Sequence, residues 1–170
     1  MSVHRRESAA GVRQLRAVLA ALVLAPCVAP AADCTASATS VGFGIYDAAL
    51  ATPDDSTGSL TVSCTYTGGG VRDVPYVVTL GSANSASPAT RWLAAGSFRL
   101  YYNLYRDAAR VEIWGDGTAG SFVVSGSVRP GPGVGNETRS DTYTVYGRVP
   151  PLQDAGVGNY ADTIFVTLTF

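Results

Sequence analysis

Asp107, Glu112 and Asp116 are three acids grouped within a short stretch of the sequence. Two carboxylates facing one another across a cleft are the machinery of glycoside hydrolysis. The rest of the inventory argues against an enzyme. The single histidine, His4, sits in the first segment of the chain, so nothing downstream supplies an imidazole for a catalytic triad or a metal site. All twelve basic residues other than that histidine are arginines, which removes the lysine nucleophiles and Schiff bases. Acids at this density occur on most protein surfaces, and the three are read as turn and strand-edge residues in water. No catalytic, cofactor-binding or metal-ligating residue is assigned.

The glycine pairs Gly42-Phe43-Gly44 and Gly115-Asp116-Gly117 are not followed by a helical pattern, so they are turns or bulges and not phosphate cradles. Trp92, Trp114 and the cluster Tyr101, Tyr102 and Tyr105 have faces on which a sugar would stack, but such residues more often fill a sandwich core.

The elements that position these residues follow an export segment. Residues 1–16 carry Arg5, Arg6, Arg13 and Arg16; an uncharged apolar run follows from Ala17 to Val28, ending in Ala29-Pro30-Ala31-Ala32. This is the pattern of a secretory signal peptide over residues 1–31, with an apolar run too short to span a bilayer. Leu24-Ala25-Pro26-Cys27 has the outline of a lipidation box, but the proline before the cysteine argues against processing there. The exported domain is therefore expected to be 32–170, with no membrane insertion once the leader is gone.

Setting aside four arginines and Glu7 with the leader leaves eight arginines against twelve acids, a net charge near −4. No basic cluster remains to neutralise phosphates, which excludes nucleic acid as a partner. The remaining cysteines are Cys34 and Cys64, and two cysteines in an exported chain are expected to pair.

The mature sequence reads as strand after strand. Leu60, Val62, Cys64 and Tyr66 alternate with Thr61, Ser63, Thr65 and Thr67, a period of two with one face inward. Tyr76, Val78 and Leu80 repeat the pattern. So do Phe98, Leu100, Tyr102 and Leu104, opposite Arg99, Tyr101, Asn103 and Tyr105. Further strands are expected at 111–114, 122–128, 142–149 and 160–170. Turn chemistry separates them at Pro53-Asp54-Asp55, Gly68-Gly69-Gly70, Gly115-Asp116-Gly117 and Gly156-Val157-Gly158-Asn159. Short strands without a helical period make an all-β sandwich or barrel. In the final strand Ile164, Val166, Leu168 and Phe170 share one face, and a strand of this kind leaves an edge and an apolar face to be covered.

The order of landmarks is informative beyond its parts. It runs from Val41-Gly42-Phe43-Gly44-Ile45-Tyr46 through Gly58-Ser59-Leu60-Thr61-Val62-Ser63-Cys64, Arg91-Trp92-Leu93 and Leu100-Tyr101-Tyr102-Asn103-Leu104-Tyr105. It ends with Val111-Glu112-Ile113-Trp114-Gly115-Asp116-Gly117, Val145-Tyr146-Gly147-Arg148-Val149-Pro150 and Gly158-Asn159-Tyr160-Ala161-Asp162-Thr163. This series resembles the spore coat protein U domain family, which includes subunits of archaic chaperone–usher pili.

The resemblance implies an immunoglobulin-like sandwich lacking its final strand, stapled between Cys34 and Cys64. It implies a missing strand supplied first by a periplasmic pilus chaperone and then by a neighbouring pilin subunit, with an outer-membrane usher as assembly partner. Ile164, Val166, Leu168 and Phe170 would form one wall of the acceptor groove. The chain would pass through the periplasm to the cell surface or be secreted. With one or two residues before Cys34 after cleavage, it has no donor segment, which places it at a fibre tip or outside the shaft. The alternatives are a stand-alone secreted module binding a glycan or a surface, and a structural protein of a spore coat.

Overall fold

The structure, a computed structural model, describes residues 31–67, 73–129 and 136–170. The leader expected over 1–31 lies outside these residues except for Ala31, as do the glycine turn at 68–70 and residues 130–135.

Among the described residues nine strands form the fold and no α-helix occurs. They are β1 (Ala31–Ala38), β2 (Asp54–Thr67), β3 (Val74–Leu80), β4 (Trp92–Ala95), β5 (Phe98–Tyr101), β6 (Asn103–Tyr105), β7 (Val124–Val128), β8 (Asn136–Val149) and β9 (Val166–Thr169). One sheet runs β1-β2-β8-β6, a second β7-β3-β9, and β4-β5 make a separate hairpin. This is the immunoglobulin-like β-sandwich with one disulfide.

The sandwich exists because two faces alternate correctly. Leu60, Val62, Cys64 and Tyr66 on β2, Tyr76, Val78 and Leu80 on β3, and Val145 and Val149 on β8 are all buried. The opposite face of β2 and β8 is a ladder of paired hydroxyls: Thr61 with Thr142, Ser63 with Ser140 and Thr65 with Thr138, each at 2.8–2.9 Å. Trp114 is fully buried between the sheets, and its indole N–H donates to Val78 O at 3.1 Å.

Four local expectations change. Phe98 is 51% exposed while Asn103 is buried, because the chain breaks its alternation at Tyr102, between β5 and β6. Asp54 and Asp55 open β2 and do not form a turn. Residues 111–114 form no strand; Ile113 and Trp114 make only single bridges, to Tyr105 and Phe122. Of 160–170, only Val166–Thr169 forms a regular strand, paired with β3.

Candidate functional site

Two strand edges on one side of the sandwich are open among the described residues. β1 pairs only with β2, and β9 only with β3. Ala161 exchanges both backbone hydrogen bonds with Ala94, at 2.8 and 3.0 Å, and Phe165 O accepts from Gly81 N at 2.9 Å. By the alternation of an antiparallel ladder, Asp162, Ile164, Val166 and Leu168 direct N–H and C=O to the free side.

β1 is arranged the same way. Cys34 and Cys64 stand directly opposite, with Cα atoms 4.0 Å apart, as in a pair that exchanges no backbone hydrogen bonds. Ala32, Cys34, Ala36 and Ala38 therefore turn their backbone polar groups away from β2. Their side chains lie on the same side as Tyr66, Cys64, Val62 and Leu60, the core side, yet Ala36 and Ala38 are exposed. Exposure on the core side means that the sandwich is open along this seam.

The seam leads into a groove. A cavity of about 350 Å³ lies between Ala38, Val41 and Phe43 on one wall and Ile164 and Val166 on the other, over a floor that includes Leu60, Tyr102 and Val145. A second, of about 750 Å³, continues past Ile45 and Tyr46 toward Val157 and Tyr160. Val41, Phe43, Leu93 and Asp162 line both, so the two are compartments of one groove.

The first wall is a strap, residues 39–46, seated on glycines. A Cβ at Gly147 would stand 2.6 Å from Val41 and 2.8 Å from the Phe43 ring, and one at Gly58 would stand 2.9 Å from Val41. Gly58 and Gly147 face the core, and their missing side chains leave the room that Val41 and Phe43 occupy. On the floor, the Tyr102 hydroxyl donates to Asp162 Oδ2 at 2.7 Å. Burial first, and then this hydrogen bond, hold that hydroxyl protonated well above the usual tyrosine range.

Of the four wall residues named from sequence, Ile164 and Val166 line the first cavity. Leu168 is half-buried and packs on the core, and Phe170 is 55% exposed. Val41, Phe43, Leu93 and Tyr102 were not named. The acids Asp107, Glu112 and Asp116 are each engaged locally: Asp107 accepts the N–H groups of Val111 and Glu112, Glu112 pairs with Arg106 at 2.8 Å, and Asp116 accepts from Thr118. No group of three potential metal ligands occurs among the described residues. Trp114 and Tyr102 are core residues, while Tyr101 is half exposed and Trp92 lies under the Arg99 guanidinium at 4.3 Å.

The Spore Coat Protein U domain family matches residues 19–167 of this sequence. The chain belongs to that family. It is 33% identical over 144 residues to "Protein U" of Myxococcus xanthus, an overlap of 77% of this chain and 72% of that protein. Among solved structures it is similar to a chain of the CsuC–CsuE chaperone–tip adhesion subunit pre-assembly complex from the archaic chaperone–usher Csu pili of Acinetobacter baumannii. That likeness has a TM-score of 0.51 at 23% identity and covers 82% of this chain. The chain spans 40% of that relative's length. The spore coat protein U domain is thus built here as an immunoglobulin-like sandwich with an open seam between β1 and β9.

Proposed function

We propose that this spore coat protein U domain is a structural or adhesive subunit of a chaperone–usher surface fibre, and that its groove accepts an extended strand from a partner. The observation that carries this reading is the free edge of residues 162–168 beside an apolar groove whose opposite lip, β1, is also unpaired. An added strand would satisfy both edges and cover Ile164, Val166 and Leu168, as β-augmentation does. An added strand rises about 3.3 Å per residue, as the edge does, so a segment of roughly seven residues would match residues 162–168.

The successive partners are a periplasmic chaperone, an outer-membrane usher and a neighbouring subunit. The tip position follows from the proposed cleavage site: Ala32 and Asp33, the residues left before Cys34, pair with Tyr66 and Thr65 in β1, which leaves them no freedom to serve a neighbour. The match to Protein U favours a second reading, a coat protein with the same acceptor groove.

The test is expression of residues 32–170 in an oxidising periplasm, alone and with the chaperone of its own gene cluster. The expected result is poor solubility alone and a soluble one-to-one complex with the chaperone. A stable, cooperative monomer by itself would overturn the acceptor reading. N-terminal sequencing of the secreted protein tests the tip position, which fails if the mature chain begins well upstream of Cys34.

A further inference from the structure

The strap that forms one groove wall is hydrogen-bonded at its ends and held in its middle mainly by the packing of Val41 and Phe43. At one end, Thr39 N donates to Ser59 O at 2.9 Å and its hydroxyl accepts from Ser59 N at 2.8 Å. At the other, the Tyr46 hydroxyl donates to Pro150 O at 3.0 Å and accepts from Gln153 N at 2.9 Å. Between them, residues 40–45 make no backbone–backbone hydrogen bond to any described residue; the one tie is Ser56 Oγ to Gly42 O at 2.7 Å. Gly42 and Gly44 have open space around them, and Gly44 sits at φ +77°, where glycine alone moves without strain.

The strap also carries Phe43, an aromatic side chain that lines both cavities. Phe43 meets Tyr102 edge-on, with ring centroids 5.9 Å apart, and Tyr102 in turn reaches Asp162 on the far wall. Phe43, Tyr102 and Asp162 form a bar, and it lies where the two cavities adjoin. A straight strand laid along the free edge from 168 to 162 and continued into the second cavity must pass this point.

We propose that residues 40–45 are a gate, with Phe43 as its bolt: closed, it divides the groove into two short compartments, and open, its unpaired backbone becomes the second partner of the incoming strand. This rests on the acceptor reading above. The partner is an extended segment with apolar residues at alternate positions, because apolar side chains make up most of the groove lining and its one carboxylate is already bonded to Tyr102. In the closed state a short or poorly matched segment gains only one compartment, so the gate discriminates for strands that span both.

The probe is a synthetic peptide of about ten residues alternating valine with threonine, with lysines at its ends for solubility. Its binding to the wild-type chain and to Phe43→Ala is measured by stopped-flow and titration. A closed gate lowers apparent affinity by the open fraction, so Phe43→Ala should bind roughly tenfold more tightly, the gain residing in the association rate. Equal or weaker binding by Phe43→Ala, with the peptide still bound by wild type, overturns the gate and leaves the acceptor groove standing. Binding to neither chain removes both ideas.

If Phe43→Ala fails to fold, 4-fluorophenylalanine placed at position 43 serves instead. Its fluorine resonance should move away from the Tyr102-packed position as peptide is added. A resonance unchanged at saturating peptide refutes the gate.

Discussion

Arg91 Nη1 donates to Asn103 Oδ1 at 2.8 Å in the interior of the sandwich, and Arg91 is completely buried with no carboxylate in contact. The remaining guanidinium donors go to Leu80 O, Gly81 O and Trp114 O at 2.8–3.1 Å. One cation thus ties the end of β3, the start of β6 and the loop holding Trp114. Burial pulls its pKa below the usual arginine range, while Tyr102, Asp162 and Asp116 oppose that shift.

Replacing Arg91 by leucine strands those carbonyls in an apolar interior. The expected loss is about 3–5 kcal/mol, the range for removing one partner of a buried polar network. Urea unfolding followed by the fluorescence of buried Trp114 reads it, and Arg91→Lys should recover only part, having one nitrogen in place of three.

The disulfide closes a sequence separation of 30 residues and holds edge strand β1 to β2. Chain-entropy arguments put its contribution at about 3–4 kcal/mol. A Cys34→Ala/Cys64→Ala double variant should show that loss in equilibrium unfolding, together with faster amide exchange in β1 than in β8. Uniform exchange across both strands would show that β1 stays docked without the staple.

Gly147→Val forces Val41 and Phe43 off β8. Overfilling a packed site costs roughly 1–3 kcal/mol. The distinguishing readout is hydrogen exchange: protection should fall around the strap anchors Thr39 and Tyr46 and hold in β3 and β7.

Asp55 accepts two hydrogen bonds from Arg148, at 2.7 and 2.8 Å, and lies 3.3 Å from Arg110. The Arg148 hydrogen bonds hold its carboxyl below the ordinary value of 3.8; burial opposes them and the Arg110 charge assists. The folded-state pKa is the lower one, so the contribution to stability is complete above pH 3.8 and is lost as pH falls through the folded-state value. Asp55→Asn should lower stability at neutral pH by less than about 1 kcal/mol and flatten the acid limb.

Neighbouring Asp54 has the opposite sign. Its Oδ2 is buried without a hydrogen-bond partner, and burial, followed by the Asp55 charge, raises its pKa. Stability from the protonated form is present at low pH and lost as pH rises through the raised value. Asp54→Asn should therefore stabilise the domain at pH 7, by on the order of 1 kcal/mol, and have little effect near pH 3.

The parts of the fold that were legible in sequence are those where a side chain declares its own face. Leu60 to Tyr66 alternate because both sides of that strand are set locally, and the same holds for Ile164 and Val166. β1 was not legible, since Ala31–Ala38 is alanine, serine, threonine and aspartate, with weak strand preference; pairing with β2 and the bridge to Cys64 make it a strand. Arg91 could not be placed because burying a cation depends on four acceptors contributed by distant segments. Gly42-Phe43-Gly44 read as a turn for want of any sign that Gly58 and Gly147, far along the chain, leave a seat for it. The groove is half visible for the same reason: one wall is a strand with a period, and the other is a strap defined by what it rests on.

The central ladder of the sandwich, β2 against β8, joins residues 69 to 95 positions apart, from Thr67 with Asn136 to Asp54 with Val149. Such pairing closes only after nearly all of the domain is available, because the second strand of the pair lies close to the end of the domain. Until then β2 has only the short edge strand β1 beside it, and Leu60, Val62 and Tyr66 wait for their cover. Long-range pairing of this kind folds slowly and leaves strands exposed to each other. The proposed export therefore imposes a waiting time on this sequence, and whatever protects the chain during it acts on a half-built sheet before any groove exists to be filled.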